Sequence, residues 1–523
     1  MKKLSLILAV VLSLTISGCT ASDIQNLVDK DKGTETKLEI EQNTTVINVP
    51  VYNLDTFNPI TTKSVSVSDC MQFVYEPLFD FNSSLEAQPV LAEGYSVSPD
   101  GLTYTISLKN DVLWHDNTPF GAKDVDYTVK AIQKDSVYAK NLQDVARGYT
   151  AGTDTYCFQL KKPVVNFIGL LNFPIIKDGT KLQIDNQYIP VGTGPYRYGS
   201  ELSAKEISLE ASDSWHGGKA KIQKVILQDL KDQESAVYAF EASVVDCITS
   251  KTVDLSQYTP KGNVLNQEYI SNKLTFVGMN FYKQPLWGKS TRQALACLVD
   301  KDELVTSLIY GRGVAVDVPV NPSSWFYDGA SRVYQKDANK AAELLGQDGW
   351  TLGSGVYTRN FNGAKQKLEL EILVNSENRE QVAIAESIAS VFNENGIKGT
   401  VKQAPYADFT KLVTEKKFDL FVGNVAMAYN MDPSFLVASG MNYFTYSNSE
   451  MDGLLANIGK TQDKEEIKQY FVRFSEIFND DVPFIPLFFQ KDSFMCRKKL
   501  ASDSEPTYYS AFHNPGAWHI QKK

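Results

Sequence analysis

The stretch "SPDGLTYTISLKNDVLWHDNTPFGAKDV", residues 98–125, contains the clearest local signals for the fold. Apolar side chains stand at alternate positions, which predicts a half-buried β-strand with these residues on its inner face: Leu102, Tyr104, Ile106 and Leu108. "SPDG" before this strand and "KND" after it are typical turn sequences. We therefore predict that "VLWH", residues 112–115, is the return strand of a hairpin.

The end of the same stretch predicts the start of a helix. Gly121 is an acceptable N-cap, and the carboxylate of Asp124 stands where it can reach back to the N–H of the cap residue. Phe120 and Val125 have the spacing of a hydrophobic staple around a helix start. A strand, a turn and a stapled helix are thus expected in order.

His115 and Asp116 raise the question of a catalytic or metal site, because such sites often contain a histidine beside an aspartate. The chain has only four histidines, and "HNPGAWH" near its end is poorly spaced for metal ligands. The G-x-S-x-G and H-E-x-x-H patterns are absent from the sequence. We expect His115 and Asp116 to be structural, and we expect neither catalysis, nor a cofactor, nor a metal.

Length and charge narrow the class of protein. A chain of 523 residues is too long for one core and predicts two or three lobes. The net charge of -10 argues against nucleic acid, which selects basic surfaces. Capped helices are indicated near residues 290–309, after Asp337, at 381–397 and at 465–478, with strands between them. This interleaving predicts an α/β architecture of several lobes.

The N-terminus has the order of an export signal. "MKK" is a basic start, "LSLILAVVLSLTI" is an apolar run too short to span a bilayer comfortably, and "ISGC" follows. The segment resembles the lipobox of bacterial lipoproteins, which implies a signal peptide over 1–19 and a lipid (a palmitoyl-type anchor) on Cys19. The alternative is an ordinary secretory signal in which Cys19 is incidental. Residues 20–36 are polar and predict a flexible tether.

The other cysteines are widely spaced and form no C-x-x-C pair: Cys70, Cys157, Cys247, Cys297 and Cys496. Zinc and redox motifs are therefore absent, and a disulfide framework is not expected in a chain of this size. We predict that these thiols are small core residues.

Many segments resemble the extracellular solute-binding proteins of family 5, which deliver peptides and other solutes to ABC importers. They cover nearly all of the chain after the signal, in the family's order: "LDTFNP" (54–59), "YEPL" (75–78), residues 89–129, "VGTGPY" (191–196), "SWHGGKAKIQKV" (214–225), residues 277–305, "ANKAAELLGQDGW" (338–350), "FDLFVGNVAMAYNMDPSFL" (418–436) and "YSNSEMDGLL" (446–455).

The resemblance implies a three-lobed α/β fold of the periplasmic-binding-protein type. Lobe I would combine residues 37–75, 188–275 and 491–523. Lobe II would be an insertion over 76–187, and lobe III would span 276–490. Lobes I and III would close around a ligand in the cleft between them.

The resemblance also suggests ligand-binding residues, but with a gap. Oligopeptide-binding members hold the α-amino group of the peptide with an aspartate whose place falls on Tyr429, or on Ala428 if the alignment shifts by one. Arginines of those members fall approximately on Val413 and Val422. The remaining candidates suit a pocket of aromatic and amide groups: Lys63, Val65, Tyr406, Met427, Tyr429, Asn430, Phe489 and Gln490. Asp432 is predicted only to cap the helix after Pro433.

The expected function is that of a monomeric solute-binding lipoprotein on the extracytoplasmic face of the cell membrane. It would capture a peptide or similar solute and pass it to the permease and ATPase of an ABC importer. A sensory binding lipoprotein of the same fold is the main alternative. Other ligands also remain open: an oligosaccharide, and with less support nickel or haem.

Overall fold

A computed structural model describes residues 45–181, 188–203, 205–250, 263–502 and 504–521. The predicted signal over 1–19, Cys19 and the tether over 20–36 lie outside the described residues. The chain divides into two compact units, Met1–Val46 and Ile47–Lys523. Of the first unit only Thr45 and Val46 are described, and all other described elements belong to the second unit.

Two antiparallel sheets of four strands form in the first half of the chain. One has the spatial order Val46–Tyr52, Lys224–Leu230, Glu206–Ala211 and Tyr196–Ser203. The other has the order Ala92–Val97, Thr103–Leu108, Thr155–Leu160 and Val145–Thr150. The predicted strand at 103–108 is confirmed, with Tyr104, Ile106 and Leu108 buried.

The predicted return strand at 112–115 is wrong. The neighbours of Thr103–Leu108 are Ala92–Val97 on one side and Thr155–Leu160 on the other. In "VLWH" only Leu113 forms an isolated bridge, with Pro119. The preceding strand Ala92–Val97 and the more distant strand Thr155–Leu160 occupy both edges of Thr103–Leu108, so residues 112–115 find no free edge to pair with.

The stapled helix start is confirmed. The helix spans Ala122–Lys134 with Gly121 as its N-cap, and the carboxylate of Asp124 accepts the N–H of Gly121 at 2.9 Å. Phe120 and Val125 are both buried, as a hydrophobic staple requires.

The largest sheet has seven strands in the described residues, six of them from the second half of the chain. Its order is Cys247–Thr249, Phe484–Arg497, Val264–Met279, Leu420–Ala426, Glu369–Asn375 and Lys398–Ala404, with Gly313–Ala315 also paired to Phe484–Arg497. Glu369–Asn375 pairs in parallel with both of its neighbours. The helix Arg379–Glu394 makes the crossover between Glu369–Asn375 and Lys398–Ala404, as parallel strands require.

The remaining elements are mostly helices. The α-helices besides Ala122–Lys134 and Arg379–Glu394 are Val65–Met71, Gln233–Glu241, Lys289–Leu298, Lys301–Leu308, Ala338–Gln347, Tyr406–Thr414, Ser434–Val437, Ser449–Ile458 and Lys464–Asp481. Short 3-10 helices span Ala139–Leu142, Phe167–Leu170, Gln284–Leu286, Gly329–Ser331 and Pro515–Ala517. Small sheets join Phe79–Phe81 to Ala87–Pro89, Leu500–Ala501 to His519–Ile520, and Thr351–Gly353 to Val356–Phe361 and Ala364–Lys367.

The predicted helix caps are present. The carboxylate of Asp300 accepts the N–H of Glu303 at 3.0 Å, and Asp337 accepts the N–H groups of Asn339 and Lys340. The N-cap residue of the helix Ser434–Val437 is Pro433, and the carboxylate of Asp432, one residue earlier than the cap, accepts the N–H of Ser434 at 2.8 Å.

The predicted core positions of the cysteines are also confirmed, because all five described thiols are buried. Among the described residues, no helix is both long and apolar enough to cross a bilayer.

Candidate ligand-binding cavity

The site begins with the loop that follows the first strand. One oxygen of the Asp55 carboxylate accepts the N–H of Thr56 and the hydroxyl of Thr62, and the other accepts the N–H of Lys63 at 2.7 Å. Partial burial would raise the pKa of Asp55, but the hydrogen bonds from Thr62 and Lys63 outweigh it and lower that pKa. The fixed loop leads into the helix Val65–Met71, whose N-cap Ser64 accepts the N–H of Val67.

A cavity of about 680 Å³ opens beside this helix. Its wall is built from the loop and helix at 62–72, from segments between 75 and 90, and from the C-terminal residues 508–515. Further lining residues come from distant parts of the chain: Lys109, Val137, Tyr138, Asn141, Asn172, Pro174, Pro195, Trp215, His216, Asn272, Lys273, Tyr429 and Asp492. A volume between about 300 and 1,000 Å³ is typical of small-ligand sites.

Glycines 192 and 194 of the "VGTGPY" motif allow the chain to pack tightly behind this wall. A Cβ on Gly192 would lie 1.8 Å from the carbonyl oxygen of Val74, and one on Gly194 would lie 2.8 Å from it. The N–H of Gly194 donates to that carbonyl at 2.9 Å. Glycine at both positions is therefore a packing requirement that brings Tyr75 and Glu76 to the cavity.

Three of the eight predicted ligand-binding residues line the cavity: Lys63, Val65 and Tyr429. Val65, the first residue of the helix Val65–Met71, has a side chain that is 52% exposed. The ring of Tyr429 stacks on that of Tyr508 with centroids 6.0 Å apart, and its carbonyl oxygen accepts the hydroxyls of Tyr508 and Tyr509. Burial, together with the negative charge of Asp69, raises the pKa of the Tyr429 phenol.

The other five predicted residues lie outside the wall of this cavity. Met427 and Phe489 are buried in the apolar core of the large sheet. Asn430 is also buried, and its side-chain amide donates to the carbonyl of Val165 at 2.8 Å. Tyr406 is 60% exposed at the start of its helix, and the amide of Gln490 donates to Glu380. A ligand role for these five stays a prediction.

Two histidine–carboxylate contacts of the wall were not singled out from the sequence. The carboxylate of Glu76 accepts the indole N–H of Trp215 at 2.9 Å and lies 3.0 Å from Nε2 of His216. Glu76 belongs to "YEPL" and His216 to "SWHGG", two motifs that indicated the family but not a role for either residue.

The second contact joins the C-terminal segment to the strand Phe79–Phe81. Nδ1 of His513 lies 3.0 Å from the carboxylate of Asp80, an ion-pair contact without full hydrogen-bond alignment. Burial would lower the pKa of His513, but the interaction with Asp80 is stronger and raises it.

Charge in the cavity is unevenly compensated. Glu76 and Asp80 each face a histidine, and the carboxylate of Asp492 lies 3.8 Å from the ammonium of Lys273. Within the described ranges, neither Lys63 nor Lys109 has a carboxylate within 4.0 Å of its ammonium group. The wall thus offers two ammonium groups to an acidic ligand.

His115 and Asp116 have structural partners. Nε2 of His115 lies 2.9 Å from the carbonyl oxygen of Gly194, and Nδ1 accepts the N–H of Gly192. Asp116 forms an ion pair with Lys177. Burial lowers the pKa of His115, which favours a neutral imidazole that bridges two backbone groups.

Comparison with known proteins shows which family the chain resembles. The family model of the bacterial extracellular solute-binding proteins, family 5 (Middle), matches residues 86–445. The oligopeptide-binding protein AppA of Bacillus subtilis is 23% identical over 514 residues, covering 92% of this chain and 91% of the relative. Heme-binding protein A of Haemophilus influenzae is 23% identical over 475 residues, covering 82% and 84%.

The fold agrees with this match. The structure of HbpA2 from Haemophilus parasuis superposes with a TM-score of 0.78 at 22% identity, and the alignment covers 91% of this chain and all of the other. The multi-lobed α/β fold is therefore that of the periplasmic solute-binding proteins. With a family model that matches most of its length, this chain belongs to the bacterial extracellular solute-binding proteins of family 5.

Proposed function

We propose that this protein captures peptides in the cavity beside Tyr429 and delivers them to the permease of an ABC importer. The observation that carries the proposal is the cavity of about 680 Å³, whose wall combines tyrosine rings with both signs of charge. The relative AppA is an oligopeptide-binding protein, which supports the peptide class. Enzymatic turnover is not part of the proposal, because the family consists of the binding proteins of transporters.

The charges suggest how a zwitterionic peptide is held. By resemblance, the aspartate that holds the α-amino group in oligopeptide-binding members falls on Tyr429, or on Ala428 if the alignment shifts by one, and neither side chain can replace a carboxylate. Asp69 lines the same wall, is 5% exposed, and acts electrostatically on the Tyr429 phenol. We infer that Asp69 binds the amino group of the peptide, while Lys63 and Lys109 receive its carboxylate.

A thermal-shift screen tests the ligand class. The purified protein is heated with di- to pentapeptides, oligosaccharides, haem and nickel in separate series. A ligand at 100 times its Kd stabilises the folded state by about 2.7 kcal/mol, so binding produces a clear rise in Tm. Peptides are expected to raise Tm. A shift with oligosaccharides but not with peptides would refute the peptide assignment.

Modified peptides test the assignment of Asp69. N-acetylation removes the amino charge, and the substitution Asp69→Asn removes the carboxylate charge at nearly constant volume. Loss of one partner of a desolvated pair costs about 2–5 kcal/mol, which corresponds to at least a 25-fold weaker Kd by calorimetry. Acetylation should weaken binding to the wild type strongly and to the variant little. An equal loss in both proteins would mean that another group holds the amine.

The anchor and the delivery step need a cellular experiment. We propose that a lipid on Cys19 holds the protein at the extracytoplasmic face of the membrane. Cys19→Ser should move the protein from the membrane fraction to the soluble extracytoplasmic fraction, and loss of the protein should abolish uptake of labelled peptide. Membrane association that survives Cys19→Ser would contradict the anchor, and unchanged uptake would favour the sensory alternative.

A further inference from the structure

Two buried cysteines lie opposite each other in the large sheet. Cys247 begins the edge strand Cys247–Thr249, and its antiparallel partner in Phe484–Arg497 is Cys496. Side chains of directly opposed residues point to the same face of a sheet. Both thiols accordingly belong to one apolar core, and each is no more than 2% exposed.

The hydrogen bonds of these strands identify the type of pair. The N–H of Arg497 donates to the carbonyl of Asp246 at 2.9 Å, and the N–H of Ser250 donates to the carbonyl of Ser493 at 2.9 Å. Both of these opposed pairs are hydrogen-bonded, and such pairs alternate with non-hydrogen-bonded ones along an antiparallel ladder. Cys247 and Cys496 are one position from the first of these pairs and three positions from the second. By this alternation they form a non-hydrogen-bonded pair.

This type of pair has the spacing of a disulfide. Opposed Cα atoms in non-hydrogen-bonded pairs lie about 4.5 Å apart, and disulfides join Cα atoms about 4.4–6.8 Å apart. Neither backbone would have to leave the ladder for the bond to form. The Cys496 thiol makes only a weak hydrogen bond, to the carbonyl oxygen of Leu500 at 3.6 Å.

We propose that Cys247 and Cys496 form a cross-strand disulfide when the protein folds in an oxidising compartment. The oxidant is a disulfide, either a small molecule or a thiol oxidoreductase. One cysteine thiolate attacks the oxidant and releases one thiol, and the second cysteine then displaces the other. Two electrons and two protons pass to the oxidant, which leaves as two thiols while one S–S bond forms.

Burial determines when this chemistry can occur. It raises the pKa of Cys496 to about 12 and also raises that of Cys247, so few thiolates exist in the folded state. Because the thiolate is the nucleophile, oxidation is slow once the core has closed and faster while it is open. The three-residue edge strand is the element whose opening exposes the pair.

The bond would fix one wall of the ligand cavity. Phe484–Arg497 also carries Asp492, whose carboxylate lies at the cavity beside Lys273. A bond between Cys247 and Cys496 joins positions far apart in sequence, so it restricts the unfolded chain strongly. The oxidised protein should therefore unfold at a higher temperature than the reduced protein.

The test is a non-reducing peptide map of the full chain. The protein is refolded from denaturant in a buffer of oxidised and reduced glutathione, blocked with an alkylating agent, digested and analysed by mass spectrometry. We expect one cross-linked peptide pair that contains Cys247 and Cys496, and two fewer alkylated thiols than in protein refolded with reductant. Fully alkylated Cys247 and Cys496 after oxidative refolding would overturn the proposal.

Cys70 provides the matched control. Its thiol lies close enough to act electrostatically on Cys247, and it is equally buried. Cys70→Ser should leave the cross-link intact, whereas Cys496→Ser should remove it. A cross-link between Cys70 and Cys247 in the wild type would refute the assignment to Cys496. The wild-type map decides between these outcomes even if a variant fails to fold.

Discussion

At the scale of single residues, Lys63 is the simplest test of charge in the cavity. Lys63 lines the wall, and its ammonium has no carboxylate partner in the described part of the chain. Its removal therefore leaves no carboxylate without a counter-charge. Lys63→Ala should weaken binding of a free-carboxylate peptide about 5- to 30-fold, the loss of roughly 1–2 kcal/mol of a charged hydrogen bond. The Tm of the ligand-free protein should not change.

Lys134→Ala is the matched control, because Lys134 is an exposed lysine of the helix Ala122–Lys134 and lies outside the cavity wall. Calorimetry should give it the wild-type Kd. The same loss of affinity in both variants would show that Lys63 acts only through the net charge of the protein.

His513 should make stability depend on pH. Its folded-state pKa is raised by Asp80, so the contact stabilises the protein fully below the unfolded pKa of about 6.5. The stabilisation is lost as pH rises through the folded-state pKa. The unfolding free energy, measured with denaturant, should therefore be higher for the wild type than for Asp80→Asn at low pH, and this difference should shrink as the pH rises above about 6.5. A constant difference would mean that His513 does not titrate against Asp80.

The sequence located some residues of the cavity wall and missed others, for physical reasons. Lys63 and Val65 follow the turn-forming "FNP" motif, and Tyr429 follows the strand Leu420–Ala426, so family resemblance located them. Tyr508, Tyr509 and His513 lie in a C-terminal segment without periodicity. Their place in the wall depends on long-range contacts, such as that of His513 with Asp80, and no local pattern encodes those.

At the scale of elements, a buried ion pair joins a helix to a neighbouring loop. Lys301 begins the helix Lys301–Leu308, and its ammonium contacts the carboxylate of Asp317, with both side chains at most 1% exposed. The other oxygen of Asp317 accepts the N–H groups of Val333 and Tyr334.

Lys301→Met leaves this carboxylate buried without its cation, and such a change costs about 3–5 kcal/mol of unfolding free energy. Lys283→Met is the control, since the pair of Lys283 with Asp419 is partly exposed and should contribute about 0–1 kcal/mol. Urea unfolding monitored by circular dichroism measures both. Similar costs would indicate that burial does not govern the strength of these pairs.

Element prediction succeeded where the signal was local and failed where pairing was distant. The helices after Gly121, Asp300 and Asp337 each have an N-cap residue and an apolar stripe, and all three formed as predicted. The hairpin at 112–115 was wrong because strand partners are chosen across the whole lobe. Thr155–Leu160 is a better partner for Thr103–Leu108 than the adjacent residues are.

At the scale of the whole molecule, the loop around Tyr429 connects distant parts of the chain. The carbonyl oxygen of Tyr429 accepts hydrogen bonds from the hydroxyls of Tyr508 and Tyr509. The side-chain amide of the neighbouring Asn430 donates a hydrogen bond to the carbonyl of Val165. In the predicted lobe assignment, Tyr429 and Asn430 belong to lobe III, Tyr508 and Tyr509 to lobe I, and Val165 to lobe II. The lobe boundaries could be proposed only from resemblance, because no composition shift or linker marks them in the sequence.

If these bonds form only when the lobes close, they contribute to ligand affinity. Tyr508→Phe with Tyr509→Phe removes two donors to the Tyr429 carbonyl and keeps the stacked rings. At about 0.5–1.5 kcal/mol per hydrogen bond, the closed form loses roughly 1–3 kcal/mol, which weakens binding about 5- to 150-fold. Small-angle scattering should show a smaller radius of gyration with peptide in the wild type and a larger excess of peptide needed for the same change in the variant.

Tyr282→Phe is the control for this double substitution, because Tyr282 is 69% exposed and outside the cavity wall. It should bind and close like the wild type. A double variant with normal affinity and normal closure would show that the Tyr429 contacts persist in both states. In that case the free energy of closure must come from contacts with the ligand itself, because only a group that differs between open and closed forms can shift their equilibrium.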